Sequence, residues 1–261
     1  MREPLEVMNK TDHTDRYCHA IVLAGSRPGR DPLLQGSSVS SKALLPVEGR
    51  PMLAYVLAAL CAHPAIKDIV VLAQDAEGWS TKPELRPSGT SVPISFRKSG
   101  AGISHSISDI IDSGASWPIL LTTADNILFD TAMIDDFLQQ CSDSDVAVGM
   151  VERRTLVARY PQNKRTWLKF RAGWWSGANL FWLGNGKVRP LLNLWASIEA
   201  DRKKGWRVIR AFGPLVLVGA LLRLLDIHQA IGIVGRRLGL DAAGDPTEDD
   251  LLRAIGARLF A

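Results

Sequence analysis

The chain has 261 residues, 46% of them apolar and 22% charged, which is long enough for one large domain or a domain with a subdomain and ordinary for a globular protein. Three widely spaced cysteines, Cys18, Cys61 and Cys141, fit neither a disulfide framework nor a zinc site, so a reducing cytoplasm is the expected compartment. The net charge of +4 is mild but unevenly spread. Arg153, Arg154, Arg159, Lys164, Arg165, Lys169 and Arg171 form one group and Arg202, Lys203, Lys204, Arg207 and Arg210 another, and such clusters suit phosphate-bearing partners.

Residues 1–17 are polar, aperiodic and charged throughout, without the apolar core of a signal peptide, and are expected to be a loose leader. A βα alternation follows. HAIVLA (19–24) is a short apolar run of buried-strand length, and PMLAYVLAALCAH (51–63) has helical spacing with Pro51 suited to the first helical position. KDIVVLA (67–73) and VPISFR (92–97) are the second and third strands. In ISHSISDIIDS (103–113), Ile103, Ile107, Ile110 and Ile111 share one helical face. WPILLTTAD (117–125) is a fourth strand ending on a carboxylate, DTAMIDDFLQQC (130–141) a helix that opens on a capping Asp, and DVAVGMVE (145–152) a fifth strand.

Strands separated by helices predict a three-layer α/β/α fold around a mostly parallel, mixed sheet. RTWLKFR (165–171) and WSGANLFWL (175–183) read as two further strands, mixed or antiparallel, and the rest from Lys187 reads as helices broken at Gly205, Gly213-Pro214 and Gly239. The expected division is a leader over 1–17, an α/β core over 18–186 and a helical region over 187–261. The apolar stretch FGPLVLVGALLRLL (212–225) is too short to span a bilayer. It is either a buried helix or a helix resting on a membrane surface, with the basic group at 202–210 meeting lipid headgroups.

Three places carry chemistry. After the first strand the chain reads GSRPGRDPLLQGSSVSSKALLPVEGRPML, which is neither G-x-G-x-x-G nor a Walker A loop. Gly25 lacks a Cβ, so its backbone can approach a nucleotide closely, while Arg27 and Arg30 offer forked donors to phosphate oxygens and Lys42 a point charge. Asp125 ends the fourth strand, where α/β sheets place ligands, and is positioned to hold Mg²⁺ together with substrate phosphates. SGAGISHSISDI (99–110) puts Gly and Ser ahead of a helix, where backbone amides and hydroxyls can meet an anion or a ribose, or where a serine-rich helix simply begins.

LAGSRPGR and SKALLPVEGRPML, with the gap between them, resemble the MobA-like NTP transferase group of the GT-A-like nucleotidyltransferases over roughly residues 19–152. By that resemblance Leu23, Ala24 and Gly25 line base and ribose, Ser26 and Arg27 belong to the nucleotide loop, and Arg30 and Lys42 hold the triphosphate. Gly100 and Ser104 contact the nucleoside, and Asp125 of the TAD motif binds the metal, Mg²⁺ with Mn²⁺ as the alternative ion. The loop departs from the family pattern in carrying Ser26 for its second glycine and a stiffening Pro28. A second metal carboxylate is expected late in the chain, with Asp245 of GDPTEDDLLRAI (244–255) the candidate; Asp245 and Thr247 starting a helix is the other reading.

The acceptor side is RYPQNKRTWLKFRAGWWSGANLFWL, where Lys164 and Arg165 would pair with an acceptor phosphate and Asn179 would hydrogen-bond its polar groups. The expected activity is transfer of an NMP group from an NTP to a phosphate-bearing small-molecule acceptor, with loss of pyrophosphate and with no nucleic-acid partner. Two alternatives are a glycosyltransferase of the same broad fold using a nucleotide-sugar, for which TADN lacks an Asp-x-Asp motif, and a non-catalytic nucleotide- or RNA-binding protein built on the basic-aromatic stretch 153–182. No histidine is nominated as a general base.

Overall fold

Strand β1 (Cys18–Leu23) sets the frame in a computed structural model that describes residues 18–26, 31–100, 102–141, 143–163, 165–200 and 226–241. Its side chains alternate between two apolar layers, as strand geometry requires. Cys18, Ala20 and Val22 enter one core cluster, and Ile21 enters the other. The same alternation runs through β4 (Ile66–Ala73), where Ile69, Val71 and Ala73 face the first layer and Leu72 the second, and through β6 (Ile119–Thr123), where Leu120 opposes Ile119 and Leu121. A strand covered on both faces must be apolar throughout, so these segments read as continuous apolar runs.

A two-residue hairpin, β2 (Pro46–Val47) and β3 (Arg50–Pro51), precedes helix α1 (Met52–Ala62). Glu48 and Gly49 both have positive φ, 48° and 77°, the demand of the turn that matches strand twist. Pro51 therefore lies in the hairpin as the residue before α1 rather than as its first helical residue. The remaining strands are β5 (Ile94–Lys98), β7 (Val146–Glu152), β8 (Leu168–Phe170) and β9 (Gly173–Leu183). The seven-stranded sheet has the order β5-β4-β1-β6-β9-β7, with β8 pairing β9 outside that path. The pairs β5/β4, β4/β1 and β1/β6 are parallel; β9 runs antiparallel to β6, β7 and β8. The mixed, mostly parallel sheet expected from the sequence is what forms.

One face is covered by α1 and α4 (Thr131–Cys141), through Leu53, Leu57, Leu60, Ile134 and Phe137. The other carries α3 (Ile103–Asp112), through Ile107, Ile110 and Ile111, and α6 (Arg189–Ala200), through Leu192. Each such side chain, fully buried, contributes about 1.5–3 kcal/mol relative to exposure. Two short helices lacked a sequence signal, α2 (Ala76–Ser80) and α5 (Arg153–Arg159). Helix α7 (Ile227–Leu238) opens with a reciprocal cap between Asp226 and Gln229 and closes on Gly239 at φ +68°. Ile227 and Ile231 seat it against Met150 and Trp175.

Asp145, buried at the start of β7, accepts from Asn185 Nδ2 at 2.6 Å and from the Asp241 backbone N–H at 2.9 Å. Those two bonds, with Lys187, hold its carboxyl below the ordinary 3.8. It fastens the edge of the sheet opposite the site described next. Cys18, Cys61 and Cys141 are free thiols, and burial pushes Cys18 up to about 12, which makes it an inert core residue. Among the described residues no helix is long and apolar enough to cross a membrane. The expected leader 1–17 and the basic and apolar stretch 202–225 lie outside the described residues.

Candidate functional site

The parallel strands deliver their carboxyl ends to one edge of the sheet. Gly25 follows β1, Gln74 follows β4, Ser99 follows β5 and Asp125 follows β6. The Ala24 N–H donates to Leu72 O and the Ala124 N–H to Leu23 O, so the strand ends are tied to one another up to the cleft. Ala24 itself is buried, which leaves its backbone rather than its methyl group for a ligand.

At the centre, Lys42 Nζ lies 2.6 Å from Asp125 Oδ2, and the Thr123 hydroxyl donates to Asp125 Oδ1 at 2.6 Å. Lys42 starts a single 3-10 turn whose N-cap is Ser41 and whose Ala43 is buried, so its backbone is fixed while its side chain reaches across the cleft. Burial pushes the Asp125 carboxyl up, but the hydrogen bonds from Lys42 and Thr123 and the Lys42 charge outweigh it and hold the group below 3.8. Asp125 is therefore ionised throughout the neutral range. Among the described residues no three His, Cys, Asp or Glu gather into a metal-binding group. One hard carboxylate with substrate phosphates as the other ligands suits Mg²⁺, which seldom uses an all-protein cage, so the donor set fits the ion that the sequence implied.

On the β4–β5 side, Gln74 makes a reciprocal pair with the nucleotide loop. The Ser26 N–H donates to Gln74 Oε1 and Gln74 Nε2 donates to Ser26 O, both at 2.9 Å. A Cβ on Gly25 would stand 3.4 Å from Gln74 Nε2 and 3.6 Å from Ser99 Oγ, so this glycine brings the backbone close to both neighbours. The segment after Ser99 is strapped twice. Ser106 Oγ accepts from the Gly100 N–H at 2.7 Å and donates to Gly102 O at 2.8 Å. The Glu199 carboxylate of α6 accepts from the Ile103 N–H at 3.2 Å, the Ser104 N–H at 3.0 Å and the Ser104 hydroxyl at 2.5 Å.

The anion at the head of α3 is thus the chain's own Glu199, and a Cβ on Gly102 would come within 2.7 Å of it. Ser104 is fully buried and spends its hydroxyl on Glu199, which leaves Gly100 as the open part of that loop. Gln74 had a faint signal, a polar residue closing the apolar run IVVLA. Glu199 had none, being 95 residues from Ser104 in a helix of its own.

On the β6–β9 side, Asn179 has φ +57° at an irregularity where the β7–β9 register shifts between Val148 and Met150. The Thr122 hydroxyl donates to Asn179 O at 3.1 Å, which fixes this bulge beside the Asp125 strand. Arg165 Nη1 donates to Gly177 O at 3.1 Å. Burial lowers the Arg165 guanidinium, and the Asp125 charge opposes that shift. Beside Arg165 opens a cavity of about 540 Å³, lined by Leu128, Leu156, Arg159, Tyr160, Asn163 and Arg165 among others.

Lys42, Asp125, Arg165 and Asn179 therefore come to one edge with the Gly25 loop. Arg27, Arg30, Lys164 and Asp245 lie outside the described residues. His19 Nδ1 pairs with Asp68 at 2.9 Å near the start of β1, on the far edge of the sheet.

The family model described as the MobA-like NTP transferase domain matches residues 20–214, most of the chain. A solved structure described as a hypothetical transferase from Thermus thermophilus is 26% identical with a TM-score of 0.70, over 90% of this chain and 99% of that one. A 4-diphosphocytidyl-2C-methyl-D-erythritol synthase from Anaerococcus prevotii shares the fold at 9% identity and a TM-score of 0.50, over 70% of this chain and 76% of that one. No curated protein matches the chain. A strand-end carboxylate facing the lysine that follows a glycine loop, on this sheet order and within that family match, marks a nucleotidyltransferase: the chain belongs to the MobA-like NTP transferase domain family.

Proposed function

We propose that this nucleotidyltransferase moves an NMP group from an NTP to a phosphate-bearing small-molecule acceptor, with Mg²⁺ and with release of pyrophosphate. The observation that carries the reading is the 2.6 Å contact between Lys42 Nζ and Asp125 Oδ2, which joins two motifs 83 residues apart. An oxygen of the acceptor's phosphate attacks the α-phosphorus in line. The α–β P–O bond breaks and its electron pair leaves with the pyrophosphate. An acceptor already ionised has no proton to surrender, so no general base is required.

Such transfer needs positioning and charge neutralisation more than covalent help. Mg²⁺ held by Asp125 supplies Lewis-acid polarisation of phosphate oxygens. Lys42 leaves Asp125 for the triphosphate and offsets charge that builds on the leaving group; Arg30 is assigned the same work. The Gly25–Ser26 backbone, braced by Gln74, receives the nucleotide with Leu23, Ala24 and Gly100. Arg165, with Lys164, holds the acceptor phosphate and Asn179 its polar groups. Residues 18–186 form the catalytic core in this reading, with α6 and α7 packed on it and free thiols that suit a cytoplasmic setting.

Pyrophosphate release, measured with each of the four common NTPs, Mg²⁺ and a panel of phosphorylated acceptors, tests the reading. Turnover that needs both substrates and stops with chelator is expected. Binding of NTP with no pyrophosphate from any acceptor would instead favour a binding protein.

A further inference from the structure

The cavity beside Arg165 has a character that the transfer reaction alone does not explain. Its wall starts at Leu128, three residues beyond Asp125, in a turn closed by the Phe129 N–H donating to Asn126 O. Leu156 and Tyr160 supply the opposite side from helix α5 and its end, where the Tyr160 N–H donates to Leu156 O. Leu128 is 48% exposed and Tyr160 38%, and they are two of only six large apolar side chains exposed among the described residues. Exposed apolar groups lining a concavity mark a binding surface more readily than scattered ones do.

Among the described lining residues charge is confined to Arg159 and Arg165, and Arg165 lines the same cavity as Leu128, three residues beyond Asp125. Asn163 Nδ2 donates to Tyr160 O at 2.6 Å and so braces the chain as it leaves α5. Gln162 and Asn163 also lie on the cavity, but the surface it presents is mostly apolar, which suits an apolar body better than a polyhydroxylated one.

Resting on the nucleotidyltransferase reading above, we propose that the acceptor is amphiphilic: a phosphomonoester whose anionic head meets Arg165 beside Asp125 and whose apolar body lies against Leu128, Leu156 and Tyr160. The head is the nucleophile, and its oxygen forms the new bond to the α-phosphorus as pyrophosphate departs. No oxidant, reductant or further reactant enters. Guanidinium groups fix the head, and apolar contact selects the tail.

Calorimetric binding of n-hexyl phosphate and of glucose 1-phosphate to the full chain, with and without an uncleavable NTP analogue and Mg²⁺, tests this. Hexyl phosphate is expected to bind at least about tenfold more tightly, the worth of two buried methylenes. Leu128→Ser and Tyr160→Ser, both at exposed positions, should each erase most of that advantage while the melting temperature stays close to wild type. Glucose 1-phosphate binding as well as hexyl phosphate, neither ligand binding, or a preference untouched by both variants would overturn the proposal. Hexyl phosphate binding that depends on Leu128, in a protein that releases no pyrophosphate with any NTP, would uphold the cavity's selectivity and sink the transfer reading instead.

Discussion

The two halves of the cleft are built by opposite means. Toward β4 and β5, where we propose the nucleotide binds, backbone and side chains already hold one another: Ser26 with Gln74, Gly100 with Ser106, Ser104 with Glu199. Toward β7 and β9, where we propose the acceptor binds, the cavity is lined by guanidinium, amide and apolar side chains on a short helix and the loop that follows it. A universal substrate part can be met by a rigid, pre-tied surface, since pre-organisation lowers the cost of binding. An individual substrate part is met by side chains that can be exchanged without touching the sheet, as ligand sites on loops commonly are. Lys42 and Asp125 stand at the seam.

The seam should be the most sensitive place. Asp125→Ala is expected to lower kcat by on the order of 10³-fold, several kcal/mol of charge stabilisation, with little change in melting temperature because the pair it breaks is partly exposed. Unchanged pyrophosphate release would remove Asp125 from the metal site. Lys42→Ala should weaken triphosphate binding by roughly ten- to a hundredfold, the worth of a charge-assisted hydrogen bond, and monophosphate binding far less. Equal losses for both nucleotides would contradict the position given to Lys42.

The acid limb of kcat/KM separates the halves by pH. The Asp125 carboxyl lies below 3.8, so what its ionised form contributes to stability is complete above 3.8 and is lost only as pH falls through its lower folded value. Asp125 therefore imposes no change between pH ~5 and pH ~8. The limb should fall instead where the acceptor phosphate dianion takes up a proton, at about pH 6, with a tenfold loss per unit below it. A flat profile down to pH ~5 would argue against an ionised phosphate as nucleophile. Smallest is Glu199→Ala, expected to cost about 1 kcal/mol of stability through the lost helix cap and to raise the KM for NTP a few fold, with kcat nearly unchanged. A change in acceptor KM instead would show that the two halves are not independent.

Much of this was legible in the residues. The core strands announced themselves because strands buried on both faces must be apolar, and Asp125 because a strand-end carboxylate, most often only a turn former or cap, here accompanies the Gly25 loop and Lys42. The order β6-β9-β7 was not legible, since β9 inserts between β6 and β7 only after the chain has left the sheet through α5 and turned back through β8. Helix α5 was hidden because RRTLVAR is dominated by cations that its exposed face can carry. Gln74 and Glu199 escaped because their partners, Ser26 and Ser104, are brought to them only by the sheet order and by the packing of α6 on α3.

Gln74 stands in for a length of strand. Its amide presents one acceptor and one donor to the Ser26 backbone, the same pair of groups that an adjoining strand would offer. The last backbone rung at this point is the Ala24 N–H on Leu72 O. A side chain thus imitates one more peptide unit, and the ladder continues a step after β4 has ended. The nucleotide loop gains the rigidity of a sheet at Ser26 while Gly25 keeps the naked backbone of a turn, so the boundary between scaffold and loop falls within a single dipeptide.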